Sequence, residues 1–96
     1  MKKVTLEYNR EDSTTQWYAL SNSTKSADFL TYRNFLETNM ENMETHFHSQ
    51  TNVTVDMFFS EEHYSQFETL YATVQPELNA YNSANGITIS KSVSDI

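Results

Sequence analysis

METHFHSQTNVTVDMFF, residues 43–59, carries much of the evidence for the fold of this chain. Apolar side chains recur at every second position on either side of a polar segment, which is the period of a half-buried β-strand. The pattern therefore predicts a hairpin of two antiparallel strands, with apolar residues on one face and mostly polar residues on the other.

The register of this hairpin follows from keeping its apolar side chains on one face. A three-residue loop, 50–52, meets that condition and pairs Phe47 with Val55, with the last loop residue in the left-handed region. The same register sets His46 opposite Asp56 on the outer face of the sheet.

Two amphipathic helices flank the hairpin. Ser26 can cap the first, whose apolar residues follow at spacings of 3, 4 and 4: Phe29, Tyr32, Leu36 and Met40. Ser60 can cap the second, whose apolar residues keep spacings of 3 or 4: Tyr64, Phe67, Tyr71, Val74, Leu78 and Tyr81. Pro76 should kink or divide the second helix, because it removes a backbone donor. Asn85 and Gly86 form a typical helix end.

Two further strands complete the pattern, one near each end of the chain. Apolar and polar residues alternate over 4–9 and again over 87–90. The order β-α-β-β-α-β predicts an α+β sandwich of the ferredoxin-like kind, with a four-stranded antiparallel sheet in order 4-1-3-2 and both helices on one face. We expect a single domain, 1–96, with a long connection over 11–25 and a frayed tail over 91–96.

Composition limits the class of partner. The net charge is −7, from 13 acidic and 6 basic residues, which disfavours nucleic acid as a partner. The absence of cysteine excludes disulfides and thiol catalysis, and the single glycine excludes a glycine-rich phosphate loop. The sequence contains neither a signal peptide nor an apolar run long enough to span a bilayer. These features predict a cytoplasmic protein without membrane contact and without a cofactor.

Three segments resemble a group of small, uncharacterised proteins from marine phages and ocean metagenomes. These are the first strand with its polar turn over 4–13, the aromatic pair Trp17 and Tyr18, and YNSANGI over 81–87. The resemblance implies a ferredoxin-like domain that pairs as in the dimeric α+β barrels, a class that includes the antibiotic-biosynthesis monooxygenases. It implies no activity, and for a phage protein it implies the host cytoplasm.

His46, His48 and Asp56 form the candidate metal site. The two histidines leave the same strand face, and a carboxylate on the neighbouring strand would complete a two-histidine, one-carboxylate set that iron or zinc accepts. The alternative is a pair of solvated histidines beside a carboxylate, without a bound metal.

Trp17, Tyr18 and Phe58 are the candidate ligand or interface residues. The aromatic pair can form one wall of a pocket, or it can cover the core or contact a second subunit. Phe58 lies on the otherwise polar open face, where a face-to-face dimer would bury it.

Two functions are compatible with these observations. The first is a non-enzymatic domain that forms a homodimer and binds another protein. The second is a small-molecule-binding or cofactor-independent oxygenase-like enzyme of the dimeric α+β barrel type. Large residues on the inner face of the predicted sheet leave little room for a pocket, which favours the first.

Overall fold

A four-stranded antiparallel sheet with two helices on one face forms the described part of the chain. The computed structural model describes residues 1–12 and 26–96. In chain order the elements are β1 (Lys2–Arg10), α1 (Ala27–Asn39), β2 (Asn42–Phe47), β3 (Asn52–Phe59), α2 (Glu61–Ala84) and β4 (Ile87–Asp95). The strand order β2-β3-β1-β4 is the predicted order read from the opposite edge, so the predicted α+β class and sheet order are confirmed.

Both helices begin where the capping residues predict. The Ser26 hydroxyl accepts the backbone N–H of Phe29 at 3.1 Å, and the Ser60 hydroxyl accepts that of His63 at 3.2 Å. Each cap satisfies one of the backbone donors that the first helical turn leaves unpaired. At the other end of α2, Gly86 adopts a φ of 75°, the left-handed conformation expected after a helix.

Helix α2 continues without a break through Pro76, so the alternative of two separate helices is wrong. Proline removes one hydrogen bond in this turn, but its ring lies on the exposed side of the helix. Val74 and Leu78, on either side of it, are buried against the rest of the core. The packing of these two side chains holds the helix together across the proline.

The core lies between α2, α1 and the inner face of β1 and β3. Its largest contributions come from aromatic and aliphatic side chains that are almost fully buried: Val4, Leu6, Phe29, Tyr32, Met57, Phe59, Phe67, Tyr71, Val74 and Leu78. Most of these positions belong to the apolar periods read from the sequence.

The predicted hairpin register is wrong by two residues. Phe47 pairs with Val53, not Val55, and His46 pairs with Thr54, not Asp56. The backbone N–H groups of His48 and Ser49 both bond to the carbonyl oxygen of Asn52, at 3.1 and 3.2 Å, which closes the turn between the two strands. Asn52 does not adopt the left-handed conformation, since Gly86 has the only positive φ among the described residues. A shift of two residues keeps every side chain on its predicted face.

The predicted frayed tail is wrong for residues 91–95, which continue β4. Lys2 pairs with Asp95 at the end of the β1–β4 ladder, and their side chains form a salt bridge. Lys91 points to the helix side, where its ammonium lies 2.7 Å from the Glu68 carboxylate and 5.1 Å from the centre of the Tyr71 ring. These contacts help to hold the polar end of β4 in the sheet.

Residues 13–25 of the predicted connection lie outside the described residues. In the described ranges, no helix is long and apolar enough to cross a membrane. The prediction of a single domain stays a prediction.

Candidate functional site

The predicted candidate residues lie in three different places. Trp17 and Tyr18 fall outside the described residues. Phe58 lies half-buried on the outer face of the sheet, opposite Lys3 on one side and Asn42 on the other. The remaining candidates, His46, His48 and Asp56, lie on the outer face of the β2–β3 hairpin.

Three side chains converge at this part of the outer face, and one of them was not predicted. His46 Nε2 lies 3.1 Å from Asp56 Oδ2 and 3.8 Å from Glu44 Oε1. One ligand atom from each of Glu44, His46 and Asp56 lies within 4.8 Å of the others. We call these three residues the histidine–carboxylate cluster.

His48 stands beside this cluster and not in it. Its ring stacks on that of His46, with 6.3 Å between the ring centres. Its Nε2 atom lies 2.8 Å from the hydroxyl of Thr54, and that contact holds it away from Asp56. The observed register explains why Glu44 and not His48 joins the cluster. Glu44 and Asp56 are directly opposed, and His46 reaches Asp56 along the diagonal. The sequence carried one usable signal: Glu44, His46 and His48 share a strand face.

Hydrogen bonds fix the outer face around the cluster. The Thr5 hydroxyl donates to Asp56 Oδ1 at 2.6 Å. The Asn52 amide donates to Glu7 at 2.9 Å and to Asn9 at 2.8 Å. Asp56 is thus held by a neighbouring strand and is only 14% exposed, whereas Glu44 and His46 are about half exposed.

The inner face of β2 is apolar but uncovered by the described helices. All six residues of β2 are exposed. Met43 and Phe47 point to the helix side and are 53% and 68% exposed, the largest values for large apolar side chains between residues 26 and 95. The reason is that the core centres on β1 and β3, beneath α2, and does not extend to β2.

A cleft of about 230 Å³ separates this part of the sheet from the helices. Met43, Thr45 and Val55 line it from the sheet, with Tyr32 and Tyr71 from the helices. Burial raises the pKa of both tyrosines, with smaller contributions from neighbouring acidic groups. Both phenols are therefore neutral at physiological pH.

A second concave surface lies between the two helices on their solvent side. It is an open groove of about 780 Å³. Short polar side chains line most of it, with Phe35 and Leu70 as its apolar floor. The groove offers no group with unusual acid-base chemistry among its lining residues.

His63 is half-buried in the first turn of α2. Its ring packs edge-on against Phe35, with 6.3 Å between centres, and its Nδ1 atom is buried with no hydrogen-bond partner among residues 1–12 and 26–96. The contact with α1 could not be predicted, because it depends on how the two helices pack.

Comparison of the chain with protein-family models, with curated proteins and with solved structures finds no match.

Proposed function

We propose that this domain is a non-enzymatic protein that acts by self-association and protein binding, and that edge strand β2 is the contact between two copies. The observation that carries the proposal is the exposure of β2 on both faces, including Met43 and Phe47. We further propose that the fold is ferredoxin-like, which the strand order supports. The phage or marine microbial origin implied by the resemblance stays a prediction.

Among the described residues, no strand pairs with the outer edge of β2, and this edge has the backbone groups that a second strand needs. His48 donates its N–H to the Asn52 carbonyl, so these two residues form a hydrogen-bonded pair. Along an antiparallel ladder such pairs recur at every second residue. Even-numbered residues of β2 therefore direct their backbone groups to β3. Met43, Thr45 and Phe47 direct theirs away from the sheet, where a second strand can bind them.

Pairing of two β2 strands about Thr45 is favoured by both side-chain faces. In this antiparallel register, Met43 lies opposite Phe47 of the second copy, so exposed apolar residues meet on the inner face. Glu44 lies opposite His46 of the second copy, so unlike groups meet on the outer face. A register centred on Glu44 would instead oppose two carboxylates, which is unfavourable.

Local charge and sequence also favour a second copy on this edge. The chain as a whole carries −7, which makes two copies repel each other. Glu44 is the only acidic residue in β2, so the contact avoids most of that charge. Edge strands that avoid pairing usually contain Lys or Pro, and β2 contains neither.

A cysteine substitution tests both the dimer and its register, because the chain has no cysteine of its own. In the proposed register the two Thr45 residues face each other as a hydrogen-bonded pair with Cα atoms about 5.5 Å apart, within the range of a disulfide. We expect the Thr45→Cys variant to form a covalent dimer under mild oxidation. Met43→Cys is the matched control, since its two copies would lie about 13 Å apart along the paired strands. Cross-linking of Met43→Cys and not Thr45→Cys would refute the register.

A proline substitution tests whether the free edge makes the contact. Thr45→Pro removes an N–H that does not bond to β3, so β2 should stay in the sheet while pairing of two copies is lost. Thr45→Val retains the N–H and is the control. Analytical ultracentrifugation should show a dimer for the Thr45→Val variant and a monomer for Thr45→Pro. A wild-type chain that stays monomeric at all concentrations would refute self-association.

The cleft supports a second candidate function, the binding of a small apolar molecule by an enzyme of the oxygenase-like type. Its volume of about 230 Å³ lies just below the range of about 300–1,000 Å³ typical of ligand sites. Indole titrated into the protein and followed by NMR would shift the signals of Val55 and Tyr71 if the cleft binds ligands. Unchanged signals would exclude indole-sized ligands from the cleft.

A further inference from the structure

We propose that the histidine–carboxylate cluster, Glu44, His46 and Asp56, is a binding site for a divalent first-row transition metal, with Zn²⁺ as the ion that its ligands suit best. The site does not require the proposed dimer, because all three side chains belong to one chain. It also differs from the sequence-based prediction, since Glu44 takes the place of His48.

Two of the three separations between the ligand atoms lie close to those that a zinc ion requires. Bonds of about 2.0–2.2 Å to nitrogen and oxygen in a tetrahedral arrangement place neighbouring ligand atoms about 3.3–3.6 Å apart. His46 Nε2 lies 3.1 Å from Asp56 Oδ2 and 3.8 Å from Glu44 Oε1. These two distances bracket the required value, and the ligand atoms of Glu44 and Asp56 lie within 4.8 Å of each other. Rotation of the exposed Glu44 and His46 side chains would bring all three to zinc distance.

One ligand is already held in place by a neighbouring strand. Thr5 donates a hydrogen bond of 2.6 Å to Asp56 Oδ1, which leaves Oδ2 directed at His46. Hydrogen bonds of this kind orient carboxylate ligands in metal sites. Thr5 and Asp56 face each other across β1 and β3, so the backbone of the sheet fixes the contact.

The donor set selects the class of ion. Two carboxylates supply negative charge, and the imidazole nitrogen favours transition metals over Mg²⁺ and Ca²⁺, which prefer oxygen ligands. Three protein ligands leave a fourth position for water. Partial exposure of Glu44 and His46 leaves the ion accessible from solvent.

Isothermal titration calorimetry with zinc chloride, on protein without a histidine tag, tests the site. We expect one Zn²⁺ per chain, with affinity reduced at least about tenfold in His46→Ala and in Glu44→Gln. His48→Ala is the matched control, because it removes a histidine from the same strand face and should retain near-wild-type affinity. Circular dichroism of each metal-free variant checks folding, which the exposed Glu44→Gln substitution should not affect.

A paramagnetic ion provides a second readout. Co²⁺ should selectively shift the NMR signals of residues 44–46 and 54–56 and leave those of His63 unchanged. The proposal is wrong if the wild-type chain takes up no Zn²⁺. It is also wrong if His48→Ala weakens binding as much as His46→Ala and Glu44→Gln leaves it intact, which would assign the ion to the two histidines. Sedimentation of the metal-free protein reports separately on the dimer.

Discussion

At the scale of single residues, Gly86 shows how one position ends a helix and joins it to β4. Its φ of 75° is unfavourable for any residue with a Cβ, and a Cβ built there would lie 2.9 Å from Glu11 Oε2. We expect Gly86→Ala to lower the free energy of unfolding by about 1–2 kcal/mol in urea denaturation.

The double variant Glu11→Ala/Gly86→Ala separates backbone strain from crowding. The Glu11 carboxylate is the far end of a flexible side chain and can move aside. We therefore expect Gly86→Ala to cost nearly as much free energy of unfolding in the Glu11→Ala background as in the wild-type chain. If Gly86→Ala costs nothing in the Glu11→Ala background, crowding and not the backbone conformation causes the loss of stability.

His63 is a residue whose polar atom works against stability. A buried nitrogen without a hydrogen bond is destabilising by about 1–3 kcal/mol, whereas an apolar ring in its place avoids that penalty. We expect His63→Phe to raise the free energy of unfolding by about 1 kcal/mol, because the new ring keeps the contact with Phe35. His48→Phe, at an exposed histidine, is the control and should bring no gain. A less stable His63→Phe variant would contradict this account.

At the scale of elements, α2 carries a destabilising residue in its interior. Pro76 in the helix costs about 3 kcal/mol relative to alanine, partly offset by the flexibility that alanine adds to the unfolded chain. We expect Pro76→Ala to stabilise the protein by about 1–2 kcal/mol in thermal and urea denaturation. Gln75→Ala, at the neighbouring exposed position, should change stability by less than about 0.5 kcal/mol. Destabilisation by Pro76→Ala would show that the proline shapes the packing of α2.

The attachment of β4 to β1 predicts a dependence on pH. The hydrogen bond between the two side chains lowers the pKa of Asp95 below 3.8 and raises that of Lys2 above 10.5. The lowered pKa of Asp95 gives stability that is present above pH 3.8 and is lost as pH falls through the folded-state pKa. The raised pKa of Lys2 gives stability that is present below pH 10.5 and is lost as pH rises through its folded-state value.

NMR titration of the Asp95 carboxyl carbon measures the acid side directly. The midpoint should lie below 3.8 in the wild-type protein and return to about 3.9 in Lys2→Met. Asp95 is exposed and Lys2 is half-buried at the surface, so the effect on global stability is small and weakens with salt. An identical midpoint in the two proteins would show that the salt bridge does not form in solution.

At the scale of the whole molecule, the two faces of β2 serve two separate proposals. The backbone edge and the inner face provide most of the contact with a second copy. Glu44 and His46 on the outer face also oppose each other across that contact, and within one chain they are the proposed metal ligands. We expect Thr45→Pro to abolish the dimer while Zn²⁺ affinity stays within about twofold of that of Thr45→Val. In the Thr45→Cys background, Glu44→Gln should lose Zn²⁺ binding and still cross-link on oxidation. Loss of both properties in either variant would show that dimer and metal site depend on each other.

The sequence was sufficient for the elements and their faces, with particular exceptions. Alternation over Val53, Val55 and Met57 reports which side of the sheet each residue faces, since that depends on the local strand period. The hairpin register could not be predicted from this alternation, because a shift of two residues leaves each side chain on the same face. The polar end of β4 gives no apolar alternation, so its pairing with β1 was not predicted.

The candidate site was predictable only in part for the same reason. His46 and Asp56 could be assigned to one face and to neighbouring strands, and the structure brings them together. Glu44 replaces His48 because the register, and not the spacing along the chain, decides which side chains are within reach. The sequence by itself determined the order of elements and the faces of their side chains, because both depend on local periodicity and capping. The tertiary structure alone decided the register, the histidine–carboxylate cluster and the uncovered edge of β2, because each depends on distances between segments that are separate in the chain.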